Sequence, residues 1–174
     1  MNGKVRIIGI DPGLVHTGWG VVDSENGRLS LVAAGVINPE KGDLSLANRL
    51  LDLHTKLRAV LTEFSPDEAA VEQTFVNVNP TSTLKLGQAR GVVLLCPAES
   101  GIPVAEYTPN QIKKAVVGVG HATKDQVDMM VHTLLPGVGK VKADASDALA
   151  MAICHSYMRV SRARMDLLAE LAKK

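Results

Sequence analysis

Cysteine is scarce in this chain of 174 residues, and neither sign of charge dominates. Cys96 and Cys154 are the two cysteines; they lie far apart, are flanked by apolar residues and form no Cys-x-x-Cys pattern. This usage argues against a disulfide framework or a zinc site and predicts buried, reduced thiols. The formal net charge is only +1, so the chain lacks the excess of lysine and arginine that marks strongly basic nucleic-acid-binding proteins.

Long hydrophobic runs are also missing. The apolar run near the N-terminus is interrupted by Gly9, Asp11 and Pro12, so it fits neither a signal peptide nor a membrane span. Hydrophobic residues (46%) and charged residues (21%) stand in the proportion of a globular protein. We therefore expect a soluble cytoplasmic enzyme with no membrane attachment. A single domain is expected over residues 1–174, with a helical tail at 161–174 that is prone to fraying.

The local charge between residues 77 and 142 is mildly positive. Seven basic residues face four acidic ones there, a difference of +3. A solvated surface is the commoner explanation of such a bias, so the bias alone assigns no partner. The basic residues are Lys85, Arg90, Lys113, Lys114, Lys124, Lys140 and Lys142.

The first 37 residues have the pattern of three antiparallel strands. Residues 5–10 are a short β-branched run that ends at an Asp-Pro-Gly turn, and the alternating stretch 18–22 follows. An Asn-Gly pair at 26–27 indicates a hairpin that leads into a third strand over residues 29–37.

The remaining sequence alternates between helical and strand patterns. Apolar residues recur at helical spacing between residues 44 and 64, where a Ser-Pro pair ends the run. Asn79 and Pro80 have the pattern of an N-cap and a first helical residue, and Pro97 is predicted to end that helix after Cys96. Three antiparallel strands followed by this alternation predict an α/β fold with a mixed sheet flanked by helices. The other expected elements are strands at 69–72 and 102–106 and helices at 109–117, 124–134 and 143–164.

Four acidic residues lie where such a fold could bring them together. Asp11 ends the first strand and Glu72 ends another, while Asp144 and Asp147 lie at the start of the last helix. Residues three apart on a helix have Cβ atoms roughly 5 to 6 Å apart, so Asp144 and Asp147 can present two carboxylates on one face. Crowded carboxylates repel, and a divalent cation removes that penalty. Oxygen ligands suit Mg²⁺, and two such ions about 3.5 to 4 Å apart can activate a water and stabilise the oxygen that leaves a phosphodiester.

Each acid also has a structural interpretation. Asp11 before Pro-Gly is a common turn residue, and Asp144 and Asp147 occupy a first helical turn, where the helix dipole and capping favour acids. Taken one at a time, these three are more often structural. Glu72 differs because it follows an apolar run, and a carboxylate at the inner end of a central strand needs a partner or a metal.

Four longer motifs occur in a fixed order along nearly the whole chain. They are Ile-Gly-Ile-Asp-Pro-Gly at 8–13 with Thr-Gly-Trp-Gly at 17–20, Val-Glu-Gln-Thr-Phe at 71–75, Leu-Lys-Leu-Gly-Gln-Ala-Arg-Gly at 84–91 and Ala-Asp-Ala-Ser-Asp-Ala-Leu-Ala at 143–150. Together they resemble the RuvC family of Holliday junction resolvases. The first motif alone is not specific, because a similar loop opens actin-like ATPases and sugar kinases, but all four in order are.

The resemblance implies a fold, a reaction and partners. The fold is ribonuclease H-like, with a five-stranded mixed sheet whose first three strands are antiparallel. The reaction is the hydrolysis of two symmetric phosphodiesters in a four-way DNA junction, with Mg²⁺ as cofactor, Mn²⁺ as a substitute and two ions per site. The implied partners are a second copy of the chain and the RuvA and RuvB branch-migration proteins. The catalytic, metal-binding acids would be Asp11, Glu72, Asp144 and Asp147; some relatives carry histidine at the position of Asp144.

The resemblance also assigns DNA contacts. Phe75 is an aromatic residue in a polar stretch of a chain that is only 3% aromatic, and it matches the residue with which the family opens the junction core by stacking on bases. Lys113 and Lys124 match lysines that members of the family need for cleavage, and each would pair with a phosphate near the scissile bond. A core phenylalanine and solvated lysines are the structural alternatives. Many relatives have a basic residue shortly after the aromatic, whereas Asn77 and Asn79 occupy that stretch here.

The helix predicted after Pro80 has one small, apolar face. Gly87 and Gly91 lie four residues apart beside several leucines, which predicts close helix packing. Internal packing is the simpler explanation, but the family dimerises around this helix, and a two-fold dimer suits a substrate that is cut symmetrically.

Two other functions remain open on the sequence. An actin-like or sugar-kinase ATPase would use the opening loop for phosphate, but it needs two lobes and this chain has room for one. A junction-binding module without catalysis would lack one of the four acids, and none is missing.

Overall fold

The protein is built from five strands and five helices within the described residues. In the computed structural model these residues are 3–39, 45–73 and 80–171, and side chains of the last helix are described as far as Ser161. The elements in chain order are β1 (Val5–Asp11), β2 (Thr17–Glu25), β3 (Arg28–Ile37), α1 (Leu46–Phe64), β4 (Glu68–Glu72), α2 (Pro80–Glu99), β5 (Val104–Tyr107), α3 (Pro109–Val117), α4 (Lys124–Leu134) and α5 (Ala143–Leu171).

The strands form one mixed sheet in the order β3-β2-β1-β4-β5. β1, β2 and β3 pair antiparallel, while β4 runs parallel to both β1 and β5. This arrangement confirms the predicted fold class. The second strand is longer than its alternating stretch predicted, because its pairing with β3 continues as far as Glu25 opposite Arg28 at the hairpin.

Helices cover both faces of the sheet, and alternating strand residues contribute to two separate cores. Ile7 of β1 and Ala70 of β4 pack with α3, α4 and α5 on one face. Ile8 of β1 and Val71 of β4 pack with α1 and α2 on the other face. The strand residues that share a face with Ile7 and Ala70 therefore point toward α5.

Two helices begin as capping rules predict, and one ends differently. Thr108 and Thr123 form capping boxes with Gln111 and Gln126, so α3 and α4 match their predicted ranges. The prediction that Pro97 ends α2 is wrong, because the helix continues to Glu99 with the proline inside it. The chain leaves the helix at Gly101, which has φ +73°, while the Pro97 carbonyl accepts from Ser100 and Ile102. A proline removes one N–H, whereas the left-handed glycine conformation ends the helix.

A partly buried network of hydrogen bonds connects α5 to β4 and β5. The Tyr107 hydroxyl lies 2.7 Å from Nδ1 of His155, and Nε2 of that ring lies 2.7 Å from a Glu68 oxygen. Arg159 donates to the other oxygen of Glu68 at 2.7 Å. Burial raises the pKa of Glu68, but hydrogen bonds from Arg159 and His155 outweigh it and hold the pKa below its usual value. The α5 helix extends beyond the predicted residue 164 to Leu171, and no helix in the described ranges is long and apolar enough to cross a membrane.

Candidate active site

Glycines on β1 and β2 let the start of α5 lie directly on the sheet. A Cβ at Gly18 would collide with the Asp144 carbonyl, and a Cβ at Gly9 would collide with the Ala148 carbonyl. Both helix carbonyls are backbone atoms and cannot rotate away. Because these two glycines have no side chains, the first turns of α5, with Asp144 and Asp147, can lie beside the end of β1.

Asp11 and Glu72 reach the same place from two neighbouring strands. Ile10 pairs with Val71, so the following residues, Asp11 and Glu72, end parallel strands that lie about 4.8 Å apart. Alternation places Asp11 on the face of Gly9 and Glu72 on the face of Ala70, which is the α5 face in both cases.

The loop after Asp11 is closed by a buried threonine. The Thr17 side chain is fully buried, and its hydroxyl donates to the Gly13 carbonyl at 2.5 Å and accepts from the Gly13 N–H at 3.3 Å. Asp11 itself pairs with Gly18 on β2. The turn and the strand pairing together fix the backbone of Asp11.

Glu72 is held by its backbone. Its carbonyl accepts from Nε of Arg90 on α2 at 3.4 Å, and Arg90 also forms an ion pair with Glu106 of β5. The next residue, Gln73, donates its N–H to the Tyr107 carbonyl at 2.8 Å. The contacts with Arg90 and with the end of β5 thus fix the position of the Glu72 backbone at the end of β4.

Electrostatics couple four carboxylates into one group, called the acidic cluster below. Burial raises the pKa of Asp11 most, and repulsion from Asp147, Glu72 and Asp144 raises it further, to about 7. Burial and repulsion from Asp147 also raise the pKa of Glu72, although Lys113 and Lys124 lower it in part. The members of the acidic cluster are Asp11, Glu72, Asp144 and Asp147.

Two lysines border the acidic cluster in a groove of about 260 Å³. Lys124 extends from the first turn of α4 and places its ammonium 2.7 Å from a carboxylate oxygen of Asp147. The hydrogen bond to Asp147 raises the pKa of Lys124, so this cation is firmly protonated. Lys113 of α3 lines the same groove together with Glu72 and Asp147. The groove therefore places two carboxylates and two ammonium groups along one surface.

The donors of the acidic cluster fit a hard divalent cation. They are carboxylate oxygens, and the raised pKa of Asp11 shows that its charge is poorly compensated by the protein alone. In the described part of the chain, no three Asp, Glu, His or Cys side chains are spaced to hold a metal ion as they stand. The Lys124 ammonium already neutralises Asp147, so cation binding requires side chains of the acidic cluster to turn toward the ion.

The structure brings together six of the seven site residues predicted from the sequence. The four acids share one face of the sheet end, and Lys113 and Lys124 border them. Phe75, together with Asn77 and Asn79, lies outside the described residues.

Three features of the site were not predicted from the sequence. They are the hydrogen bond from Arg90 to the Glu72 carbonyl, the hydrogen bonds between Thr17 and Gly13, and the close contact of glycines with α5. The spacing of Gly18 and Gly20, two apart on one strand, was the available signal for close helix contact. A Cβ at Gly20 would collide with Leu149 of α5, as this signal implies.

Comparison with known proteins finds one family. A family model for the crossover junction endodeoxyribonuclease RuvC matches residues 7–155. The curated RuvC protein of Paramagnetospirillum magneticum is 58% identical over 161 residues, which cover 92% of this chain and 96% of that protein. The RuvC protein of Brucella suis is 54% identical over 171 residues, covering 97% and 98% of the two chains.

Solved structures show the same similarity. The structure of Thermus thermophilus RuvC in complex with a Holliday junction substrate matches with a TM-score of 0.82 and 34% identity. The match covers 90% of this chain and 96% of that one. The family model, the curated relatives and the solved structure therefore agree on one group of proteins.

Proposed function

The chain belongs to the RuvC family of crossover junction endodeoxyribonucleases, and on that premise we propose that the acidic cluster is its catalytic, metal-binding centre. Its substrate is a four-way DNA junction, in which it hydrolyses two symmetric phosphodiesters during recombination and repair. The observation that carries the proposal is that the ends of β1 and β4 meet the start of α5, where burial and the neighbouring carboxylates raise the pKa of Asp11 to about 7. A structural cluster of acids would be neutralised by the protein itself, whereas a metal site leaves charge for the ion to compensate.

The family is metal-dependent, and we propose Mg²⁺ as the cofactor, with Mn²⁺ as a substitute and two ions per site. When bound, such ions supply a more acidic water and stabilise the oxygen that leaves the phosphorus. The acidic cluster would hold them through its carboxylate oxygens. Asp11, with its pKa of about 7, is about half protonated at neutral pH without a cation, so cation binding should release part of a proton from this carboxyl.

Lys113 and Lys124 are the proposed contacts to the scissile phosphate. Both line the groove beside the acidic cluster, and neither ammonium is deeply buried, so each can reach a bound strand. Lys124 would exchange its bond to Asp147 for a phosphate oxygen when the substrate and the cations enter. A cation beside the scissile bond stabilises the negative charge that develops on the phosphoryl oxygens.

Phe75 is the proposed residue that stacks on bases at the junction centre. Phe75→Ala is expected to lower junction nicking strongly while leaving the thermal melt unchanged. A junction with 2-aminopurine beside the crossover should brighten on binding the unsubstituted protein and less with the variant, since unstacking relieves quenching of this base. A collapsed melt for Phe75→Ala would instead make it a core residue.

The protein is further proposed to act as a homodimer through α2. Leu84 and Leu95 are 64% and 54% exposed, and open space surrounds Gly87 and Gly91 between them. These four residues are spaced by three or four along the helix, so they form one small, apolar stripe. A second copy would cover this stripe and bring a second acidic cluster to the symmetric phosphodiester.

On the family resemblance, we further propose RuvA and RuvB as partners, a cytoplasmic location and a single nuclease domain over residues 1–174.

Nick mapping on a synthetic four-way junction tests the proposed centre. With Mg²⁺ or Mn²⁺, two symmetric nicks with ligatable ends are expected, and none is expected in EDTA. Asp11→Asn and Glu72→Gln should each lower the nicking rate by at least about a hundredfold, because each removes a carboxylate that no neighbour replaces. Their affinity for the junction in EDTA should stay close to that of the unsubstituted protein.

Glu25→Gln is the matched control, because it removes one exposed carboxylate from the hairpin at the opposite end of the sheet. It should nick normally. Full activity of Asp11→Asn or Glu72→Gln in Mg²⁺ would refute the assignment of the acidic cluster.

A further inference from the structure

The segment between α4 and α5 carries two lysines that have no role in the site described above. Lys140 and Lys142 are both exposed and flank the half-buried Val141. Together with Ala34, Gly35 and Val36 of β3, they line a groove of about 230 Å³. β3 is an edge strand of the sheet, so this groove lies at that edge of the sheet.

The lysines are held in place by their neighbours in the chain. Val138 is buried, its N–H donates to the Leu135 carbonyl at 3.1 Å, and its carbonyl lies 3.1 Å from Nδ1 of His132. The Lys142 carbonyl accepts from the N–H groups of Ala145 and Ser146, each at 3.0 Å, and so begins α5. Hydrogen bonds therefore anchor the chain at Val138 and at Lys142, on either side of Val141.

Neither ammonium is engaged by the part of the protein that the structure describes. Lys4, Lys56 and Lys124, by contrast, each form an ion pair with an aspartate at 2.6 or 2.7 Å. No acidic residue is among those that line the groove beside β3. Two positive charges therefore face a small, acid-free groove whose floor is made of strand backbone and short side chains.

This groove continues from the active-site groove. A third depression lies between the two and is lined by Lys124 and Asp147, which also line the active-site groove, and by Val141, which also lines the groove beside β3. The α4 side of this depression carries Asp125 and Asp128, and the Asp128 carboxylate is held by the Ser146 hydroxyl at 2.5 Å. The α4 side of this depression is therefore negative, and Lys140 and Lys142 supply the positive charge beyond its other side, next to Val141.

We propose that Lys140 and Lys142 form a second phosphate-binding site, which holds the backbone of the DNA strand where it passes from the cleavage centre toward the edge of β3. The site rests on the proposed nuclease function, because it assumes that the acidic cluster receives the scissile phosphate. Its ligand is the DNA backbone of a junction arm, contacted without regard to base sequence. Such contacts fix the register of the duplex on the protein and make binding depend on salt.

Salt dependence of binding measures these contacts directly. Each phosphate that a lysine neutralises adds about 0.9 to the slope of log affinity against log salt concentration, so two lysines account for about 1.8 per engaged protomer. Lys140→Gln/Lys142→Gln should flatten the slope by that amount. Between 50 and 200 mM KCl, its affinity deficit should therefore shrink by about tenfold for each protomer that holds the junction, which is about a hundredfold for the proposed dimer.

The measurement uses fluorescence anisotropy of a labelled four-way junction in EDTA, so that cleavage does not interfere. Arg28→Gln/Arg58→Gln is the matched control, since it removes two exposed positive charges, one at the hairpin between β2 and β3 and one on α1, which covers the other face of the sheet. The control should keep the slope of the unsubstituted protein. Lys140→Arg/Lys142→Arg should have that slope as well, because it retains both positive charges. Thermal melts of all three variants check that the exposed substitutions leave the fold intact.

Each outcome separates this site from the function on which it rests. An unchanged slope for Lys140→Gln/Lys142→Gln, or equal flattening in the control, would overturn the second phosphate site while the unsubstituted protein still nicks the junction. Failure of the unsubstituted protein to nick would instead overturn the proposed function. A flattened slope that arginine restores and the control lacks supports the site.

Discussion

Replacing Asp11 by asparagine is expected to stabilise the metal-free protein at alkaline pH while abolishing its activity. A carboxyl whose pKa is higher in the folded chain contributes stability that is complete below the unfolded pKa and is lost as pH rises through the folded pKa. For Asp11 this window runs from 3.8 to about 7. Asparagine has nearly the same shape and does not titrate, so Asp11→Asn should not lose this stability.

The magnitude follows from the width of the window. One pKa unit corresponds to about 1.4 kcal/mol, so the full titration of Asp11 costs the folded state about 4 kcal/mol. Part of this cost is already present at pH 5, because the unfolded carboxyl is ionised there. Between pH 5 and pH 8.5, the free energy of unfolding of the unsubstituted protein should therefore fall by about 2.5 kcal/mol more than that of Asp11→Asn.

Urea unfolding at both pH values, in EDTA and at one fixed protomer concentration, measures this difference. The matched control is Asp67→Asn, an aspartate outside the acidic cluster whose carboxylate accepts from the Arg6 N–H at 2.7 Å. It should not show the same alkaline advantage. A difference between Asp11→Asn and the unsubstituted protein that does not change with pH would refute the claim that burial and neighbouring carboxylates oppose the charge of Asp11.

Three further predictions concern the site and the packing of α5 on the sheet. Gly18→Ala should destabilise the protein by about 2 to 4 kcal/mol in urea unfolding and lower nicking, because its Cβ would collide with the Asp144 carbonyl; Gly139→Ala, which adds a methyl group in open space, should do neither. Lys124→Gln should change stability by less than about 1 kcal/mol, because the Lys124 side chain is 62% exposed, but it should lower the single-turnover nicking rate by about a hundredfold. Normal nicking would remove Lys124 from the mechanism. His155→Leu should lower the free energy of unfolding by about 2 to 4 kcal/mol. In a double-mutant cycle, Tyr107→Phe should cost less in the His155→Leu variant than in the unsubstituted protein. Additive losses would mean that the hydroxyl and the ring do not stabilise each other.

The sequence was sufficient for most of the fold because its local signals agree with its tertiary structure. The β-branched runs and the Asn-Gly turn predicted the antiparallel strands, and the Thr-x-x-Gln boxes begin α3 and α4 as capping rules require. Helix ends were less predictable. Pro97 lies within α2 because the loss of one N–H did not outweigh the packing of a buried helix face, and Gly101 ends the helix instead.

The identity of the acids was predictable, but their environment was not. Asp11 and Glu72 follow strand patterns, and Asp144 and Asp147 begin a helical pattern, so the family motifs located all four in the chain. Their convergence depends on Gly9 and Gly18 under α5, which is a contact between residues more than a hundred positions apart. The bond of Arg90 to the Glu72 carbonyl and the bond of Lys124 to Asp147 are also long-range contacts. Local sequence patterns do not encode such pairings.

Anomalous scattering from crystals soaked in Mn²⁺ tests the central claim most directly. If the acidic cluster binds divalent cations, a strong anomalous peak will lie among the carboxylates of Asp11, Glu72 and Asp147, and the Lys124 ammonium will have left Asp147. A protein that nicks junctions in Mn²⁺ but shows no peak there, with Lys124 still bound to Asp147, would contradict the claim.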